Sequence, residues 1–89
     1  MKQVYRIGLL GAGGKLTISN SILKFQHPYG RRFTVPVDQI ETVTTDVVGW
    51  GNSKLKIIGN GTELASIKKI PSPWAEKAQE WILDQLKKS

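Results

Sequence analysis

A single change of hydrophobic period divides this chain of 89 residues and limits the folds open to it. Residues 3 to about 70 form short runs in which apolar and polar side chains alternate, as on β-strands, with Gly, Asn or Pro between the runs. Residues 72–88 instead carry an apolar stripe with helical spacing. About six short strands followed by one amphipathic helix predict a mainly β fold. We expect a strongly bent antiparallel sheet or barrel whose open end the helix closes.

Turn residues sharpen this prediction. Asn60-Gly61 stands between two alternating runs and predicts a hairpin with a type I′ turn, because Asn and Gly tolerate positive φ. Asn20-Ser21 predicts another tight turn, and the small residues 11–14 end a first strand over 3–10. Pro36 predicts an edge strand or a bulge at the end of the run 31–37, since proline has no N–H for a central ladder.

The helix signal begins at Ser72, a good N-cap, with Pro73 at the first helical position. Its stripe contains two tryptophans and is too apolar to be left in water, so it is expected to lie across a hydrophobic opening between the strands. The predicted structural core comprises Phe25, Phe33, Leu55, Ile57, Trp81 and Ile82.

The residue inventory excludes several kinds of chemistry. The length fits one domain, residues 1–89, and there is no Cys, so disulfides and thiolate metal sites are ruled out. His27 is the single histidine, which excludes a multi-histidine zinc site. The glycine-rich run 7–14 precedes strand-like alternation rather than a helix, so it does not indicate a dinucleotide site. We expect no catalytic residue, no metal, no cofactor and no enzymatic activity.

No stretch predicts membrane insertion. The longest wholly apolar or glycine run is residues 7–14, too short to span a bilayer or to form the core of a secretory signal. The expected protein is therefore not transmembrane, and its expected location is the cytoplasm.

Charge is unevenly distributed along the chain. The net charge is +6, and residues 1–37 contain six Lys or Arg and no acid. Residues 38–63 carry a net charge of −2 and residues 64–89 a net charge of +2. Such asymmetry has two interpretations: an anionic partner, whether nucleic acid, lipid headgroup or acidic protein, or a soluble, mildly basic surface. The second is favoured, because six charges over several strands need not form one patch.

One predicted hairpin tip concentrates candidate binding residues. Lys24, His27, Arg31 and Arg32 would form a cationic tip that holds phosphate or carboxylate groups. The alternative is a basic turn that serves solubility alone.

Two aromatic residues in loops are candidates for an interaction surface. Tyr29 lies within the basic tip, where aromatic and basic residues together also suit single-stranded nucleic acid. Trp50 stands between two glycines and is either a recognition residue or a lid on the small core.

Three stretches carry a resemblance to a known family. Residues 14–20, 22–25 and 33–43 contain, in order, a Leu-Thr-Ile-Ser-Asn run, a hydrophobic strand and a Val-Pro-Val-Asp-Gln-Ile-Glu-Thr-Val run. This order resembles the bacterial pleckstrin-homology-like (PH-like) domains, which are similar in fold to eukaryotic PH and GRAM domains. The resemblance covers residues 3–88 and implies a PH-like barrel of about six or seven strands closed by one C-terminal helix. It also implies a bacterial or phage source, and a platform for binding or assembly rather than an enzyme.

The same resemblance bears on phosphoinositides as possible ligands. PH domains that bind phosphoinositides use basic residues in the loop after the first strand, where this sequence has only Lys15 beside four small residues. Specific phosphoinositide binding is therefore not expected. We expect a module that binds a protein partner or itself. The alternative is a small basic barrel that binds anionic ligands, nucleic acid or lipid headgroups, through the 24–32 tip.

Overall fold

The computed structural model describes residues 2–8 and 13–88. Its strands are β1 (Gln3–Arg6), β2 (Lys15–Ser19), β3 (Ile22–Gln26), β4 (Arg32–Pro36), β5 (Thr42–Gly49), β6 (Asn52–Gly59) and β7 (Thr62–Pro71). A short 3₁₀ helix, Val37–Gln39, joins β4 to β5, and the helix α1 (Ser72–Lys87) follows β7. The predicted mainly β fold with one C-terminal helix is confirmed.

The strands form two antiparallel sheets rather than one continuous ladder. The first sheet has the order β1-β2-β3-β4, and the second has the order β5-β6-β7. No closed barrel is found among the described residues, so the barrel remains a prediction. The first strand ends earlier than expected, at Arg6, and the predicted continuation through Leu9 and Leu10 lies outside the described residues, as do Gly11 and Ala12.

Both predicted tight turns have the backbone geometry that their residues favour. Asn60 and Gly61 have φ of 54° and 74°, and Gly59 pairs with Thr62 across them. Two consecutive positive φ angles are what a type I′ turn requires. Asn20 and Ser21 repeat this pattern, with φ of 54° and 62°.

Pro36 lies on an edge strand, as its missing N–H predicted. β4 is the last strand of the first sheet and pairs only with β3. The N–H of His27 donates to the carbonyl of Arg31 at 2.7 Å, and the N–H of Val37 donates to the carbonyl of Ser21 at 2.8 Å. The N–H groups of successive residues in an antiparallel strand point to opposite sides. Because the N–H of Val37 points toward the β3 side, the nitrogen of Pro36 points away from β3, to the free edge, where no neighbouring strand needs a donor.

The core lies between the two sheets and α1. Among the predicted core residues, Phe25, Leu55, Ile57 and Ile82 are buried. Phe33 is only partly buried and packs against the core from β4, where its ring stacks on Phe25 at 5.2 Å between centroids.

Trp81 is the main correction to the predicted core. It is partly buried, and its ring stacks on Tyr5 of β1 with 5.6 Å between centroids. The buried line of α1 is instead Ala75, Ala78 and Ile82. Two alanines on that line let the helix backbone approach the sheets closely, which leaves the larger indole at the rim of the core.

Ser72 also differs from its prediction. Pro71 occupies the N-cap position, and no side chain caps the helix there. The hydroxyl of Ser72 instead forms a 2.8 Å hydrogen bond with the hydroxyl of Ser53, the one buried polar residue among those described. The amide of Gln79 donates to the carbonyl of Val43 at 2.7 Å, so α1 is tied by polar contacts to both β5 and β6.

Candidate functional site

A bulge in β7 places two lysines side by side on the surface. Ser53 pairs with Ile70 and Leu55 pairs with Ile67, so two residues of β7 stand opposite Lys54 alone. A bulge of this kind adds one residue to a strand and changes the direction of the side chains around it. As a result both isoleucines are buried, and Lys68 and Lys69 between them are both exposed.

These lysines line a cleft between β4 and β7, the edge strands of the two sheets. The cleft has a volume of about 400 Å³. Its apolar lining includes Phe33, Leu64 and Ile67. Its cationic lining is Arg31, Arg32, Lys68 and Lys69. We call this feature the β4–β7 cleft.

The two predicted interaction aromatics lie at loop tips and are almost fully exposed. Trp50 has a relative exposure of 101%, and Tyr29 has one of 90%. Trp50 is therefore not a lid on the core. Trp50 also lines a neighbouring depression together with Arg31, Lys68 and Lys69, so its indole lies beside the β4–β7 cleft.

His27 organises the tip of the β3–β4 hairpin. Its Nδ1 accepts a 3.1 Å hydrogen bond from the N–H of Tyr29, and the two rings lie 5.3 Å apart. The backbone of His27 bonds to Arg31 and Gly30. These bonds set the short turn from which Arg31 and Arg32 extend.

The structure places the predicted cationic tip on two surfaces. His27, Arg31 and Arg32 line the β4–β7 cleft. Lys24 does not line the cleft but a separate depression on the outer face of the first sheet, the face that Arg32 shares by strand register. Sequence reasoning did not assign Lys68 and Lys69 to a site. The signal was present in Ile67-Lys68-Lys69-Ile70, because an uninterrupted strand would have buried one of two adjacent lysines.

Carboxylates neutralise lysines elsewhere in the molecule. Lys54 pairs with Glu63 at 3.4 Å, Lys56 with Asp46 at 2.6 Å, and Lys88 with Asp84 at 3.3 Å. The hydrogen bond to Asp46 and the charge of that carboxylate raise the pKa of Lys56. Within the described part of the chain, no ion pair involves a cation of the β4–β7 cleft.

No group of three or more metal-ligating side chains is assembled in residues 2–8 and 13–88, and no helix among them has the length and hydropathy needed to cross a membrane. Comparisons of the chain with protein-family models, curated proteins and solved structures found no match.

Proposed function

We propose that this chain is a cytoplasmic, non-enzymatic binding module of PH-like architecture, and that its β4–β7 cleft holds an acidic segment of a protein partner. The architectural part is supported by the element order, since seven strands followed by one helix agree in number and order with the six or seven strands and C-terminal helix that the resemblance implies. The binding part is supported by the composition of the cleft.

One observation carries the proposal. Four cations, two from the β3–β4 hairpin and two from β7, line a partly apolar cleft, and in the described residues none of them is neutralised by an ion pair. Like charges placed close together repel, and an acidic ligand removes that repulsion. The guanidinium groups of Arg31 and Arg32 suit carboxylates, which they contact through two parallel N–H donors.

The residues around the cleft favour a protein as the partner. Trp, Tyr and Arg are the residue types most enriched among the energetically dominant positions of protein interfaces. Trp50 and Arg31 line one depression beside the cleft, and the exposed Tyr29 lies two residues before Arg31 in the chain. The apolar lining from Phe33, Leu64 and Ile67 adds surface that an apolar side chain of the partner can cover.

A defined acidic peptide can stand in for the partner in a test of the proposal. The probe is a labelled eight-residue peptide of alternating Glu and Val, and binding is followed by fluorescence anisotropy. Replacing both Lys68 and Lys69 by Ser should weaken binding by about tenfold, because two exposed ion pairs of up to about 1 kcal/mol each account for the roughly 1.4 kcal/mol of a tenfold change.

Lys54→Ser with Lys56→Ser is the matched control. It removes the same charge from the neighbouring strand β6, but from lysines that already have carboxylate partners. This control should change the affinity by less than about threefold, as expected for exposed pairs. Equal weakening by both double variants would mean that the peptide senses net charge only, which would contradict a site in the cleft.

The arginines of the cleft provide a second check. Arg31→Ser with Arg32→Ser should leave the protein folded, since exposed substitutions typically change stability by about 0.5 kcal/mol or less each. The same variant should lose most of its affinity for the peptide. Self-association through the same cleft would appear as a concentration-dependent mass in sedimentation, and the Arg31/Arg32 variant would then be monomeric.

A further inference from the structure

The outer face of the first sheet carries a second set of cations. Arg6 pairs with Lys15, Lys15 with Gln26, and Gln26 with Arg32, so these four residues form one row across four strands. Lys24 lies in the adjacent row of the same face, between Thr17 and Thr34. We call Arg6, Lys15, Lys24 and Arg32 the basic sheet face; Arg32 lies on the edge strand β4 and also lines the β4–β7 cleft.

Strand alternation fixes the direction of this face. Leu16, Phe25 and Val35 lie at the intervening positions of the same strands and are buried in the core. Side chains of neighbouring residues point to opposite sides of a sheet, so the basic sheet face points to solvent. Lys2 joins Lys15 and Lys24 around a depression of about 230 Å³ on this side.

No acid offsets these charges within the sheet. Strands β1 to β4 contain no Asp or Glu, and none of the ion pairs in the described residues involves the basic sheet face. The side chains between the cations are hydroxyls and an amide from Thr17, Thr34 and Gln26. Lys, Arg, Thr and Gln side chains are the kind that contact phosphate oxygens in nucleic-acid complexes.

We propose that the basic sheet face binds the phosphate backbone of a duplex nucleic acid, without reading its sequence. A duplex presents phosphates at a high and regular density. Strands in a sheet are about 4.8 Å apart, so the row from Arg6 to Arg32 extends about 14 Å and reaches several phosphates.

The composition of the face favours a duplex over two other polyanions. Single-stranded nucleic acid is held largely by aromatic side chains that stack on its bases, and the described part of this face has no aromatic residue. Peripheral membrane binding combines basic residues with apolar side chains that enter the headgroup region. The face carries two aliphatic side chains, Val4 beside Thr17 and Ile22 beside Ser19, but no large aromatic side chain, because the exposed aromatics Trp50 and Tyr29 lie in loops.

The salt dependence of duplex binding is the most direct test of this proposal. The probe is a labelled 20-base-pair DNA duplex, with a matched RNA duplex as a second arm, titrated between 50 and 200 mM salt. If four cations each neutralise one phosphate, log K should fall against log salt with a slope of about −3.6. The affinity should then drop about 150-fold over this range.

Lys15→Ser with Lys24→Ser should halve that slope, which reduces the loss of affinity over the same range to about 12-fold. The control is Lys68→Ser with Lys69→Ser, which removes the same charge from the β4–β7 cleft. Its slope should stay close to that of the parent protein. With the Glu-Val peptide, the Lys68/Lys69 variant should lose affinity and the Lys15/Lys24 variant should keep it. Failure of this inference and failure of the proposed function are therefore distinguishable.

Three results would overturn the inference: no binding of either duplex at 50 mM salt, equal slopes for the two double variants, or tighter binding of a single strand than of a duplex. Binding of vesicles that contain phosphatidylserine, lost in the Lys15/Lys24 variant while duplexes are not bound, would assign the face to membranes instead. Circular dichroism and the melting temperature verify that each variant is folded before its binding is compared.

Discussion

The two sheets of this molecule are both antiparallel, but they differ in whether their charged side chains form ion pairs. The second sheet places Lys54 and Lys56 of β6 beside Glu63 and Asp46 of the neighbouring strands. The first sheet has no acid in any of its strands, and its outward cations are not used in an ion pair among the described residues. Exposed ion pairs contribute only about 0–1 kcal/mol, so the difference matters little for stability. It matters for recognition, because unpaired cations remain available to an anionic partner.

The largest expected effect tests whether the two sheets share one core. Leu23 of the first sheet and Leu55 of the second are both fully buried. Leu23→Ala and Leu55→Ala should each lower the free energy of unfolding by about 2–5 kcal/mol, through lost apolar burial and the cavity left behind. Both variants should unfold in one calorimetric transition, at a lower temperature than the parent protein.

Two separate transitions, one shifted by each variant, would break the expectation of a single domain over residues 1–89. A substitution of similar size at an exposed site serves as the control. Val47 is 77% exposed on β5, and Val47→Ala should change the melting temperature by only a few degrees.

A smaller effect is expected where the helix meets the first sheet. Trp81 stacks on Tyr5 at the rim, so Trp81→Ala should cost about 1–2 kcal/mol, less than the roughly 3–5 kcal/mol typical of a fully buried aromatic. Ile82→Ala should cost more than Trp81→Ala, because Ile82 is fully buried. The reverse order, measured by chemical denaturation, would restore Trp81 as the residue that closes the core.

Tyr5 offers an independent readout of the same contact. Burial, with a further contribution from the carboxylate of Glu80, raises the pKa of the Tyr5 hydroxyl above its usual 10.0. Because the folded pKa is the higher one, the associated stability is complete below about pH 10 and is lost as the pH rises through the folded pKa. Trp81→Ala should expose the hydroxyl and lower its pKa toward 10, which a phenolate absorbance titration against Tyr5→Phe would detect.

The remaining effects are expected at two tight turns, one in each sheet. Ser21 adopts φ of 62° in the first sheet, whereas glycine occupies the matching position, Gly61, in the second. Ser21→Gly should therefore raise stability by about 0.5–1 kcal/mol, since a left-handed conformation is strained for a residue with a Cβ atom.

Gly61→Val should have the opposite sign and cost about 1–2 kcal/mol. No atom lies within 4 Å of the position a Cβ would take at Gly61, so the cost would arise from the backbone conformation alone. Gly61→Asn is the control and should cost less, because Asn tolerates positive φ. Equal losses for Val and Asn, measured as melting temperatures, would contradict this account.

Local chemistry explains which parts of the fold were predictable. The turns at Asn20-Ser21 and Asn60-Gly61 depend on the φ preferences of two adjacent residues, and both were predicted from those residues. Pro36 indicated an edge strand because its missing N–H affects any ladder that it joins. The helix was predictable because its apolar residues repeat with a helical period, unlike the alternating pattern of the strands. Its predicted range, 72–88, lies within one residue of Ser72–Lys87.

The candidate sites were less predictable, because they depend on register and on contacts between distant segments. The predicted tip contained Arg31 and Arg32 but not Lys68 and Lys69, which join them only because β4 and β7 are neighbouring edges. Trp81 was expected in the core because its spacing matches the apolar stripe. Spacing alone does not tell which side of a broad stripe approaches the sheets.

The sequence by itself determined the β-rich order of elements, the tight turns and the helix, since each depends on backbone preferences within a few residues. It also determined that residues 1–37 carry no acid. Only the tertiary structure decided that four of the six cations of this segment share one face, because pairing register sets which residues stand side by side. Likewise, only the bulge opposite Lys54 turned two adjacent lysines toward solvent, as the burial of Ile67 and Ile70 in a core built from both sheets required.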